Sequence, residues 1–155
     1  MTPGIEVRPV RPEDCQALVG LRAALWPDCP LEEHVSEIEG QASGAGPYPF
    51  PTVLLVAVTE NGEVVGFLEA DLRSHADGCD ATIPVGYIEG WFVAEAYRGR
   101  GAGRKLVAAA EQWARELGCV EMASDTWIDN EGSILAHRAL GFEEVDRCVN
   151  FRKKL

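Results

Sequence analysis

The run Arg98-Gly99-Arg100-Gly101-Ala102-Gly103-Arg104 brings together what a phosphate group requires of a protein. Its glycines let the main chain approach a ligand closely, and its arginines supply positive charge. An apolar stretch with strand character, Tyr87 to Val93, precedes it, and Leu106, Val107, Ala110, Trp113, Ala114 and Leu117 follow it at helical spacing as far as Gly118. Strand, glycine loop and helix in that order turn the unpaired N–H groups of a helix's first turn toward the loop, which is a site for phosphate. The loop has no Lys-Ser/Thr end of a P-loop, and its glycines do not fit the GxGxxG spacing of a dinucleotide fold. A second chemical signal lies inside the strand. Glu89 shares an alternating face with Tyr87, Trp91 and Val93, and a carboxylate in so apolar a strand needs a partner or a function.

The elements that would position these residues follow from pattern. Ile5, Val7 and Val10 begin a strand, Pro9 and Pro12 make a turn, and Glu13 and Asp14 open a helix with Leu18, Leu21 and Leu25 as its buried stripe. Trp26-Pro27-Asp28-Cys29-Pro30 breaks it. A second helix starts with Leu31, Val35 and Ile38 inward and Glu32, Glu33, Glu37 and Glu39 outward. Ala42 to Thr52, rich in Gly and Pro, reads as a loop. Val53 to Thr59 and Val64 to Asp71 form a hairpin about Asn61-Gly62, and Val85 to Val93 returns as a further strand after the turn-rich Ser74 to Thr82. Beyond the glycine loop and its helix, Val120 to Asp125 is a short strand, Asn130 to Leu140 a helix stopped by Gly141, and Phe142 to Lys153 one long strand or two short ones. The order β-α-α-β-β-β-α-β-α-β predicts an α+β fold with a mixed, mostly antiparallel central sheet flanked by helices, in a single domain over residues 1–155.

Composition narrows the function classes. The formal net charge of −11 argues against nucleic acid and suits a polycationic ligand, although general solubility alone would also account for it. No apolar run reaches the length of a membrane span and no leader pattern opens the chain, which points to a cytoplasmic protein without a membrane partner. Cys15, Cys29, Cys79, Cys119 and Cys148 fall in no metal-binding spacing and read as reduced thiols.

Read as Arg-x-x-Gly-x-Gly after an aromatic-Phe-Val strand end, Arg98 to Gly103 resembles the acetyl-CoA pyrophosphate loop of the GNAT superfamily of N-acetyltransferases. Several further stretches resemble the aminoglycoside 6′-N-acetyltransferases within it. They are Leu21-Arg22 with Leu25-Trp26-Pro27, Gly78-Cys79-Asp80, Ile88 to Val93, Ala123-Ser124-Asp125-Thr126, Ala136-His137 through Glu144, and the ending Arg147-x-x-x-Phe151-x-Lys153. The resemblance implies acetyl-CoA as cosubstrate, an aminoglycoside as acceptor, antibiotic resistance and a homodimer. It places the pantetheine arm along Trp91, Phe92 and Val93, and the pyrophosphate on Arg98, Gly99, Arg100, Gly101, Ala102, Gly103 and Arg104, with Asn130 as a further contact. It places the aminoglycoside at Trp26, Glu89, Asp125 and Asp146. Cys29 departs from a histidine found in some relatives, and the Ala42 to Thr52 loop has no clear counterpart.

Acetyl transfer to an amine requires a neutral nucleophile, a polarised thioester carbonyl and a proton for the departing thiolate. Either Glu89 or Asp125 can hold the ammonium and take its proton through water. A backbone N–H near Phe92 would polarise the carbonyl. Where many such enzymes carry a tyrosine as proton donor this chain has His137, which is either the donor or a helix-surface residue. Two competing readings keep the coenzyme loop: acetylation of another amine, such as a polyamine, metabolite or protein amine, and a coenzyme-A-binding module without catalysis.

Overall fold

A computed structural model describes residues 4–44 and 49–155. Its strands β1 (Ile5–Pro9), β2 (Thr52–Thr59), β3 (Val64–Arg73), β4 (Val85–Val93) and β5 (Met122–Ser124) form one sheet in the order β1-β2-β3-β4-β5. The first three pairings are antiparallel, and β4 pairs with β5 in parallel, so the sheet is mixed and mostly antiparallel as the sequence predicts. The helices are α1 (Cys15–Leu25), α2 (Leu31–Ser43), α3 (Ala102–Glu116) and α4 (Glu131–Ala139). The central strands are covered on both faces, which is why β2 reads as a nearly unbroken apolar run rather than an alternation. Leu54, Val56, Val58 and Phe67 pack with Leu18 of α1 and Ile38 of α2, while Leu55, Ala57, Leu68 and Ile88 pack with Leu106, Val107 and Ala110 of α3.

Local chemistry sets the turns. Gly62, at φ 83°, completes the β2–β3 hairpin in the left-handed region that its lack of a Cβ permits. The helix after the glycine loop begins at Ala102, with Gly101 as its N-cap. Of the predicted Ala42 to Thr52 loop, Ala42 and Ser43 belong to α2, and residues 45–48 lie outside the described residues.

Three expectations are corrected. In α2 the inward residues are His34 and Ile38, with Leu31 exposed, because Arg22 Nε donates to His34 Nδ1 (3.3 Å) and fixes that face inward. In β4, Glu89 does not share a face with Trp91 and Val93. Glu69 and Ala70 of β3 pair with Gly90 and Ile88, so Glu89 is the extra residue of a β-bulge, and Trp91 and Val93 turn to the α3 side. Residues 142–153 form no strand. Val145, Val149 and Phe151 are exposed there, Phe151 at 92%, since a strand needs a ladder partner and none lies along this stretch among the described residues.

Candidate active site

Beyond the three pairs Gly86–Met122, Tyr87–Ala123 and Ile88–Ser124, the β4–β5 pairing ends while β4 continues to Val93. From Glu89 onward the β4 edge that faces away from β3 is therefore open. The N-terminus of α3 lies against this part of β4: a Cβ added at Gly103 would stand 3.1 Å from the Trp91 ring. Gly99 and Gly101 hold left-handed backbone, at φ 74° and 85°, with open space where a side chain would project. The first N–H groups of α3 precede its first intrahelical bond and need acceptors from outside. Trp91 Nε1 is buried without a hydrogen-bond partner. A helix N-terminus with bare glycines, neighbouring arginines and an orphaned buried donor fits an anionic, pyrophosphate-bearing coenzyme.

The arginines of the loop are anchored. Arg98 Nε donates to the Val93 carbonyl (2.8 Å) with its guanidinium 5.4 Å from the Phe92 ring centroid, and Arg100 stands 5.4 Å from that of Tyr97. Ala102 is buried beneath the first turn, and Arg104 is exposed beside it. Phe92 faces α1 and Phe67, so it can meet a pantetheine arm only through its main chain. Asn130 is the N-cap of α4, its Oδ1 accepting from Ser133 N (3.1 Å).

On the other side of β4 lies a charged cluster. Arg73 Nε donates to Glu89 Oε1 (3.1 Å), its Nη2 bonds the same oxygen, and its guanidinium lies 3.5 Å over the Tyr87 ring. Asp71, directly opposite Tyr87 in the β3–β4 register, approaches Arg73 Nε to 3.7 Å. Burial, reinforced by the charge of Glu89, pushes the Asp71 carboxyl up to about 6. Tyr87 OH donates to Asp125 Oδ2 (2.7 Å); burial and this bond raise the phenol, which stays protonated as the donor. The structure thus links Glu89 to Asp125 through Arg73 and Tyr87. Trp26 joins the same side by lying on Gly90, where any Cβ would collide with its ring.

Behind Trp26 runs a buried polar chain. Arg22 pairs with Glu69 and lies 4.9 Å from the Trp26 ring centroid. Its Nε can only donate, so His34 Nδ1 is the acceptor, and the neutral ring carries its proton on Nε2, which bonds the Trp26 carbonyl (3.3 Å).

His137 is half-buried rather than a helix-surface residue, set edge-on between Trp91 and Phe142 with centroids 5.3 Å away on each side. Its Nδ1 donates to the Ser133 carbonyl (2.7 Å), so in the neutral ring Nε2 accepts from Ser124 Oγ (2.8 Å). Asp146 makes a local bond, Oδ1 accepting from Arg147 N (2.7 Å) in the exposed stretch after α4. Cys29 is half-buried, and its Sγ donates to Glu33 Oε2 (3.4 Å).

Sequence reasoning missed Asp71, Arg73 and Ser124. The alternation Glu69-Ala-Asp71-Leu-Arg73 does signal one charged face at the end of β3, but only the register opposite Tyr87 and the bulge at Glu89 make it part of the site.

Residues 16–142 match the acetyltransferase (GNAT) family. The chain is 44% identical over 149 residues to an aminoglycoside N(6′)-acetyltransferase type 1 of Klebsiella aerogenes, covering 96% of each chain. It is 41% identical over 152 residues to one of Stenotrophomonas maltophilia, covering 96% of this chain and 93% of that protein. Among solved structures, AAC(6′)-Iy in complex with the bisubstrate analogue CoA-S-monomethyl-acetylneamine superposes with a TM-score of 0.86 at 34% identity, over 98% of this chain and 99% of that one. By fold and by sequence over nearly its whole length, the chain belongs to the acetyltransferase (GNAT) family and, within it, to the aminoglycoside 6′-N-acetyltransferases.

Proposed function

We propose that the chain transfers the acetyl group of acetyl-CoA directly to the 6′-amino group of an aminoglycoside, in a ternary complex and within a single domain. The observation that carries this reading is the Glu89–Arg73–Tyr87–Asp125 cluster beside the open edge of β4, with the α3 N-terminus next to that edge. Glu89 and Asp125 hold ammonium groups of the drug, and one of them takes the proton of the reacting amine through water. Trp26 packs against the drug's sugar ring. The open edge of β4 presents N–H groups to the thioester oxygen as charge develops there. The amine nitrogen bonds the carbonyl carbon and the C–S bond breaks, so the thiolate leaves and requires a proton. The proton comes from His137 as the imidazolium: Nε2–H donates to Ser124 Oγ while the hydroxyl proton of Ser124 passes to the thiolate, which leaves an intact serine and a neutral imidazole.

This reading supports a role in resistance and a cytoplasmic location, where acetyl-CoA is made; among the described residues no helix is long and apolar enough to cross a membrane. It is tested by following thiol release from acetyl-CoA with kanamycin or tobramycin. Release should require the drug and saturate with it, while spermidine and a peptide amine give little. Coenzyme binding without drug-dependent release would overturn it in favour of a binding module, and faster release with spermidine would favour another amine as acceptor.

We assign the quaternary state as a homodimer. Val145, Val149 and Phe151 are exposed along an unladdered stretch, and a second copy supplies a strand partner by symmetric exchange of that stretch. Phe151→Asp should then halve the mass seen by light scattering at low micromolar concentration. A wild-type protein that is monomeric under those conditions would remove the assignment.

A further inference from the structure

The acceptor cluster already contains a cation. The Arg73 guanidinium takes both hydrogen bonds to Glu89 Oε1, lies 3.7 Å from Asp71 Oδ1, and covers the Tyr87 ring at 3.5 Å. Carboxylates on the edge and an aromatic face beneath are the means by which proteins hold an ammonium or guanidinium ligand. Arg73 is the last residue of β3, and its side chain is 42% exposed, so it sits at the mouth of the cluster on a long stem rather than packed within it. Asp71 Oδ1 is buried and receives no hydrogen bond, which leaves an acceptor atom that Arg73 approaches without satisfying.

We propose that Arg73 is an intramolecular competitor of the acceptor: its guanidinium occupies the ammonium subsite of the free enzyme and swings out when an aminoglycoside ammonium takes that place. This rests on the reading of Glu89 and Asp125 as drug-binding groups. Two cations cannot share Glu89 and the Tyr87 face, so a substrate must outbid a tethered one. A tethered group acts at an effective concentration in the millimolar range, which a single weakly held ammonium does not overcome and a polycation with several contacts does. Arg73 thereby selects for acceptors of high charge, a device of exclusion rather than attraction.

Calorimetric titration of kanamycin into the wild type and into Arg73→Met tests the proposal. Methionine keeps an apolar stem over Tyr87 and carries no charge; Arg73→Gln serves as a second variant, and unfolding midpoints confirm that both are folded. If the subsite is free only about a tenth of the time, removing its occupant should tighten kanamycin binding about tenfold. In the variant, millimolar ethylguanidinium should compete with kanamycin and not with acetyl-CoA, because it refills the vacated place; a residue that merely braces Glu89 would give no such competition. Unchanged or weaker kanamycin binding in both variants, or absence of competition by ethylguanidinium, overturns the proposal. Titration of Asp125→Asn separates the two levels: if that change leaves kanamycin affinity intact, the acceptor reading itself has failed, whereas weaker binding there with no tightening at position 73 sinks the competitor alone.

Discussion

Replacing Glu89 by glutamine should lower kcat/KM for an aminoglycoside by about a hundredfold or more, the ordinary contribution of a positioned general base. Glutamine preserves shape and an oxygen to accept from Arg73, so the change removes charge and basicity and little else. The companion change Asp125→Asn also leaves an oxygen for Tyr87 OH. The two variants divide the roles that sequence and geometry leave joined. The residue that takes the proton should lose kcat at saturating drug, while the residue that only holds an ammonium should show its loss in KM. Acetyl-CoA affinity should be unchanged in both, since the coenzyme residues lie on the α3 side of β4. Rates within about threefold of wild type, under roughly 1 kcal/mol of barrier, would exclude that residue from the chemistry.

The largest loss of stability is expected at Glu69. Its carboxylate pairs with Arg22, and both side chains are well shielded, at 14% and 6% exposure. Glu69→Leu removes the Glu69 partner of a buried guanidinium and breaks a shielded ion pair, which costs about 3–5 kcal/mol. For a chain of this length that is a fall of roughly 10 °C in the unfolding midpoint. Arg22→Met added to Glu69→Leu should recover most of it, because an apolar pair of similar volume replaces the ion pair at little net cost. The double variant should nonetheless acetylate poorly. Arg22 also stacks on Trp26 and donates to His34, which bonds the Trp26 carbonyl, so the stable double variant lacks the support that holds Trp26 over Gly90. A double variant as unstable as the single one would show that the ion pair is not what Glu69 contributes.

How much of this was legible depended on how local each demand is. The phosphate loop could be read because left-handed glycines and a helix start are set by adjacent residues. The hairpin at Asn61-Gly62 and the α3 stripe were legible for the same reason. Glu89 stood out against its strand, but its partner did not, since Arg73 reaches it through a register and a bulge that involve another strand. Arg22 and His34 lie in amphipathic helices where a polar residue ordinarily marks the outer face, and their burial is explained by partners distant in sequence: each other, Glu69 for Arg22 and the Trp26 carbonyl for His34. Residues 142–153 show the reverse case. Their loose alternation suggests a strand, yet a strand is a property of two segments, and among the described residues no second segment pairs with this one.

The short pairing of β4 with β5 has a thermodynamic consequence. Three residue pairs join β5 to the sheet, and α4 is tied to the core through His137 against Trp91 and through Leu140 and Phe142 at its C-terminal end. The segment from β5 to α4 is therefore the part of the molecule that should open first in native-state hydrogen exchange, ahead of β2 and β3 with their long ladders. A coenzyme bound across the gap would touch β4 on one side and this segment on the other, so its binding free energy would be spent partly on closing a fluctuation, and amide protection in β5 and α4 would rise with coenzyme concentration even where no atom of the ligand is in contact.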